Sequence, residues 1–208
     1  MNIKTIRKAP LPFQGQKRNF LSRIEHKLRR LTPKIHTIVD LFGGSGLLSY
    51  TARRACPQCE IVYNDFDDYH IRLEHIQETN SILDWIRNLL ADYSKNDKVE
   101  EKDKNKILGY LRKQLDKHHY LDYLTLSTNI LFAMNIQVDL RGFEKSLFWN
   151  KISKNNYTVP DDYLEGLTLT KQDYETLLKR YGKTPGVLFL VDPPYDNTNN
   201  DSYRSGNE

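Results

Sequence analysis

Cysteine is nearly absent: Cys56 and Cys59 are the only two in 208 residues. Two thiols cannot build the disulfide framework of a small secreted domain, so a reducing, cytoplasmic setting is expected. Long apolar runs are missing as well. None approaches the ~20 residues that span a bilayer, and the first residues lack the apolar core of a signal peptide. No membrane partner is expected. Internal repeats are lacking, and the one biased tract is the charged run at residues 94–106. Acidic residues are scarce at one end. Residues 1–36 hold ten Lys/Arg against a single acid, Glu25, although the whole chain carries a net charge of only +4. Such a basic segment suits a polyanion, with Arg29, Arg30 and Lys34 as the candidate contacts. An ordinary solvated helix face is the competing reading.

What is present describes a globular chain. Apolar residues make up 38% and charged residues 28%, enough for one domain with a real core, or one domain with a large insertion. Phe20, Ile24, Leu28 and Leu31 recur at helical spacing and predict a helix from about Asn19 to Leu31, limited by Pro33. "HTIVDLF" predicts a strand over 37–41. "GGSG" then turns into a helix, "LLSYTARRA", and "EIVYNDF" predicts a second strand. That order is a parallel βαβ unit. Residues 70–93 read as helical, with Leu83, Ile86 and Leu90 on one side. A further helix starts near Ile107, and "YLTLSTNILFAMN" reads as a buried helix. Residues 136–185 have no clear period except "KQDYETLLKRYG", a short helix. "GVLFLV" predicts a third central strand.

Three strand ends carry the chemistry. In "DLFGGSG" (residues 40–46), glycines after a parallel strand allow a tight turn and a close ligand, and the next helix offers free N–H groups. Nucleotides, dinucleotides and S-adenosylmethionine all use such turns, and some are purely structural. In "VYNDFDD", Asp65 lies at the end of the second strand and can accept from ribose hydroxyls, while Asp67 and Asp68 are suited to capping the next helix. In "VLFLVDPPYD", the strand presents Asp192 on a stiff Pro-Pro loop. The Asp192 carboxylate and the Pro193 carbonyl can together accept both hydrogens of an exocyclic amine. Tyr195 supplies a π-face for the ring that carries it.

With "PFQGQK" (13–17 at its core), "DLFGGSG", "IVYNDF" and "LVDPPY" in this order, the chain resembles the DNA adenine N6-methyltransferase family, the group that includes the bacterial Dam-type enzymes. "NNYTVP" and "LTKQDYETLLKRYG" also look like that family's segments, and the resemblance covers nearly the whole chain. It implies an α/β, Rossmann-like S-adenosylmethionine-dependent methyltransferase fold with a mainly helical insertion. Residues 1–69 plus 186–208 would form the cofactor-binding and catalytic domain, and 70–185 the insertion that recognises the target. Phe13 and Lys17 would belong to a loop closing over cofactor and base. Asp40, Phe42, Gly44 and Gly46 would cradle the cofactor, Asp65 would hold its ribose, and Asp192 would border it. Asp192 and Pro193 would bind the adenine amine of double-stranded DNA, and Tyr195 would stack on the flipped base. The expected state is a monomer, with no metal. Two departures stand out. "LRGFEKSLFWNKISKN" replaces the family's basic DNA-touching segment, and 13 residues follow Tyr195 where the family's later strands are expected.

Two other readings compete: an RNA methyltransferase, and a non-catalytic DNA- or cofactor-binding remnant. The spacing of Cys56, Cys59, His70 and His75 nearly matches a zinc-finger pattern, but those residues flank a strand of the sheet. Trp85 is expected in a core beside Leu89. "EKSLFW" suits either insertion into DNA or an ordinary packed loop.

Overall fold

The computed structural model describes residues 6–133 and 135–193. Its elements follow in chain order. Helix α1 (Leu21–Leu31) is entered through a 3-10 turn at Arg18–Phe20 and left through another at Thr32–Lys34. Then come β1 (Thr37–Asp40), α2 (Leu47–Ala55), β2 (Glu60–Asn64), α3 (Tyr69–Glu74), α4 (Ile76–Leu89), α5 (Glu101–His118), α6 (Tyr123–Ile130) and α7 (Leu140–Lys145). The last three are β3 (Thr168–Thr170), α8 (Tyr174–Tyr181) and β4 (Val187–Leu190). The chain divides into two compact units, residues 1–70 with 159–208, and residues 71–158.

The first unit is built on a sheet of order β3-β2-β1-β4 in which every pairing is parallel. β1 is central, and Ile38 pairs with Ile61 on one side and with Leu188 on the other. All four residues of β1 are buried, as expected of a central parallel strand covered on both faces. One face carries Ile38 and Ile61 against Leu28, Ala52, Ala55, Cys56 and Cys59. The other carries Val39, Leu41 and Val62 against Leu177 of α8. Within α1 the apolar stripe is narrower than its spacing predicts. Leu21 and Leu28 are buried, but Phe20 is 54% and Leu31 40% exposed.

Residues 159–185 belong with the sheet rather than with the helical unit. Their strand, β3, pairs Thr168 with Val62 through Thr170 with Asn64. α8 follows with Asp173 as its N-cap, whose carboxylate accepts from the N–H groups of Glu175 and Thr176. That strand has three residues and a mostly exposed pattern, too short to show a period.

The second unit is a helical cluster. Ile82, Leu83, Ile86, Ile107, Leu111, Leu126 and Phe148 lie in its core. Trp85 stacks on Tyr110 at 4.0 Å at the edge of that core. α5 begins within the charged run, with Glu101 and Asp103 in its first turn, where carboxylates favour the helix dipole. Asp122 caps α6, accepting from the Thr125 N–H at 3.0 Å. It also meets the Arg72 guanidinium at 3.1 Å, with both side chains buried. The described residues contain no helix long and apolar enough to cross a membrane.

Candidate active site

Because all four strands are parallel, their C-terminal ends share one edge of the sheet. The chain steps from β1 to β2 to β3 on one side and returns to β4 on the other. The reversal lies between β1 and β4, and in open α/β sheets ligands bind outside the carboxyl ends at such a point. Asp40 ends β1, and Asp192 follows β4 by two residues. The two ends are held in register by the Leu41 N–H donating to the Leu190 carbonyl at 3.1 Å.

Asp40 is fully buried. Its Oδ2 accepts from the Ser49 hydroxyl at 2.7 Å. Its Oδ1 has no hydrogen-bond partner among the described residues. Burial pushes its pKa up to about 6; the Ser49 hydrogen bond opposes this, the nearby charge of Asp192 adds to it, and the Phe42 N–H opposes it. A buried carboxylate with one unmatched oxygen, at the sheet reversal, suits a cationic or hydrogen-bonding ligand.

The turn after Asp40 is held from below by two phenols. Tyr63 donates to the Gly44 carbonyl at 2.8 Å, and Tyr163 donates to the Ser45 carbonyl at 2.9 Å. Both phenols are pushed well above their ordinary pKa, chiefly by burial, so they stay protonated donors. Gly44 and Gly46 adopt φ of +50° and +73°, which a side chain would strain. A Cβ at Gly44 would also approach the Phe13 ring to 2.8 Å. Gly46 caps α2 without a side-chain hydrogen bond, leaving the first N–H groups of that helix directed at the turn. Phe42, expected at the cofactor, is half-buried with its ring 5.3 Å from Tyr174 of α8.

Asp65 is also buried, but its carboxylate is engaged. Oδ1 accepts from the Tyr69 N–H at 2.7 Å, and Oδ2 accepts from the His70 N–H at 2.7 Å and contacts His70 Nδ1 at 2.6 Å. Asp65 thus accepts from the first two N–H groups of α3. Asp68, just ahead of α3, pairs with Lys171 at 2.5 Å. An ionised carboxylate has about four accepting positions, and the chain itself occupies at least three of them at Asp65.

The N-terminal loop reaches the same region. Its Leu11 is clamped at both backbone groups by one phenol: the Leu11 N–H donates to Tyr69 Oη at 2.9 Å, and Tyr69 donates back to the Leu11 carbonyl at 3.3 Å. Phe13 packs edge-on to Tyr69 at 5.8 Å. Lys17 Nζ lies 2.8 Å from Asp192 Oδ1, and both side chains are about four-fifths buried. Lys17 and Asp192 are far apart in sequence and nothing local signals their pairing, so sequence reading assigns both to the site without joining them. It also misses Ser49, Tyr63, Tyr69 and Tyr163. Tyr195 lies outside the described residues. Arg29 pairs with Glu25 at 2.8 Å on α1, while Arg30 and Lys34 are exposed near its end.

The cysteines are spent on packing. Cys56 and Cys59 are buried thiols in no disulfide, and Thr32 Oγ1 lies 3.0 Å from Cys56 Sγ. His75 stacks on Tyr120 at 4.2 Å.

A family model for the D12 class N6 adenine-specific DNA methyltransferases matches residues 13–207. A Haemophilus influenzae protein bearing the name "Putative methyltransferase" is 36% identical over 207 residues, an alignment covering 98% of this chain and 69% of the relative.

Proposed function

We propose that this chain, which belongs to the D12 class N6 adenine-specific DNA methyltransferase family, methylates the N6 amine of adenine in duplex DNA using S-adenosylmethionine. The observation that carries this reading is the meeting of Asp40, Asp192 and Lys17 at the sheet reversal, beside a glycine turn held at positive φ. When bound, S-adenosylmethionine supplies an electrophilic methyl on a positively charged sulfur.

The residues fit that cofactor. The orphan oxygen of Asp40 and the charge of Asp192 suit a cation. The Gly44–Gly46 turn and the N-terminus of α2 suit a carboxylate. Asp65 offers its remaining position to the ribose. Asp192 and the Pro193 carbonyl accept the two hydrogens of the adenine amine, favouring a pyramidal nitrogen with a localised lone pair. Positioning and fixed charge supply most of the acceleration. Lys17 occupies Asp192 Oδ1 here, so the entering amine must share that carboxylate or displace the ammonium. The base leaves the helix at a cost of a few kcal/mol, offset by stacking and hydrogen bonds in the pocket.

The decisive experiment is transfer of a tritiated methyl from S-adenosylmethionine to unmethylated DNA, followed by base analysis. The expected product is N6-methyladenine. Label in cytosine, or label only in RNA, would sink the proposal. Binding of cofactor and DNA without any transfer would favour the non-catalytic reading.

A further inference from the structure

Tyr69 opens α3 and is fully buried. Its two ends serve different parts of the first unit. The backbone N–H donates to Asp65 Oδ1 at 2.7 Å. The phenol takes both backbone groups of Leu11, accepting from the N–H at 2.9 Å and donating to the carbonyl at 3.3 Å. Leu11 is fully buried too, so removing that hydroxyl takes a partner from two backbone groups that water does not reach. Tyr69 lies in none of the segments that carry the family resemblance.

The loop that Tyr69 holds is braced as one piece. The Gln16 side chain accepts from the Ala9 N–H at 3.1 Å and donates to the Phe13 carbonyl at 3.3 Å, tying the chain together on either side of Leu11. The Phe13 ring meets the Tyr69 ring edge-on at 5.8 Å and lies against Gly44, where a Cβ would approach it to 2.8 Å. Lys17 follows directly. Its Nζ is 3.2 Å from the Gly15 carbonyl and 2.8 Å from Asp192 Oδ1. A shift at Leu11 is therefore passed on to Phe13 and Lys17, because the Gln16 brace leaves little slack between them.

We propose that Tyr69 is a positioning residue for methyl transfer. It ties the end of β2 to the N-terminal loop, and so sets where Phe13 meets the glycine turn and where the Lys17 ammonium meets Asp192. The inference rests on the methyltransferase reading given above. It assigns Tyr69 no contact with the reacting atoms: the phenol acts through Lys17.

The test is a double-mutant cycle with Y69F, which keeps the ring and removes the hydroxyl, and K17A. The readout is the methyl-transfer rate of the full chain at saturating S-adenosylmethionine and unmethylated duplex DNA. Y69F should lower that rate about tenfold. In a K17A background the same change should cost less than about twofold, because the loop has no ammonium left to place. A merely structural role lowers the folded fraction equally in either background, so the two losses would multiply, and that result overturns the proposal. Hydrogen exchange gives a reading independent of turnover. Y69F should speed exchange in residues 9–17 while the peptides of β1 and α2 stay protected. Unchanged exchange in that loop overturns the proposal, even where K17A alone is too slow to measure. If wild type transfers no methyl, the methyltransferase reading falls and the role of Tyr69 with it. If wild type is active and Y69F matches it, the reading stands and the role of Tyr69 alone falls.

Discussion

The ends of β1 and β2 sit one strand apart and each carries a buried aspartate, yet the two are provisioned differently. Asp65 meets two backbone N–H groups and an imidazole nitrogen. Asp40 meets one hydroxyl and the Phe42 N–H, and its Oδ1 has no partner among the described residues. Their burial is the same, so burial does not tell structure from function. The degree of saturation does: an acid whose acceptors are mostly taken by its own chain chiefly holds the fold, and an acid left short is open to a partner from outside. The Arg72–Asp122–Thr125 network of the helical unit falls on the structural side, with Asp122 accepting from Arg72 Nε, the Thr125 N–H and the Thr125 hydroxyl.

Asp192 extends the comparison to β4, and its loss should have the largest effect. Asp192→Ala should lower methyl transfer by about 10²–10³-fold or more, while chemical denaturation and calorimetric cofactor binding change little. A variant that unfolds in step with its lost activity would move Asp192 to the structural side. Asp65→Ala comes next. Stranding two buried N–H groups should remove about 2–4 kcal/mol of folding stability in urea titrations, with weaker cofactor binding as a smaller companion. Full stability in that variant would break the contrast with Asp40.

Asp40→Asn should act in the opposite sense. The folded pKa near 6 stands above the ordinary 3.8, so between these values the folded state holds more protons than the unfolded one. Stability therefore falls as pH rises from about 4 to 6, by up to about 3 kcal/mol. Asparagine should flatten that slope and raise stability at pH 7, while weakening S-adenosylmethionine. Melting temperatures across this pH range read the effect directly, and an unchanged slope would mean that Asp40 is matched after all. The smallest effect belongs to Arg29. Its exposed pair with Glu25 should contribute only about 0.3–0.5 kcal/mol. Replacing Arg30 and Lys34 as well should leave stability alone and flatten the salt dependence of DNA binding.

The strand–glycine–helix order of β1 and α2 is legible because each step has a local cause: an apolar run, glycines, then a helical period. β3 is not, since "TLT" is three residues long and takes its identity from Val62 and Tyr63 beside it. The capping role of Asp65 is hidden for a related reason. It accepts from residues four and five positions on, through a turn that the sequence does not announce. Phe20 and Leu31 show the opposite failure: their spacing is right for a core stripe, but both are exposed while Leu21 and Leu28 are buried. Where an acid or a lysine belongs is readable from its motif. What it touches depends on segments such as Gly15–Lys17 and Asp192, which only the folded chain brings together.

The pairing of β1 with β4 also sets a schedule for the ribosome. His36 and Pro185, joined by a hydrogen bond at the start of these strands, are 149 positions apart. At about 5–20 residues per second, β1 emerges roughly 7–30 s before its partner. Through that interval Ile38 and Val39 belong to a strand with one edge unsatisfied, in a nascent chain whose helical unit is already being made. The active-site edge closes late, so a pause in translation ahead of Val187 would prolong the exposure of β1, and a chaperone that shields open strand edges would matter most in that window.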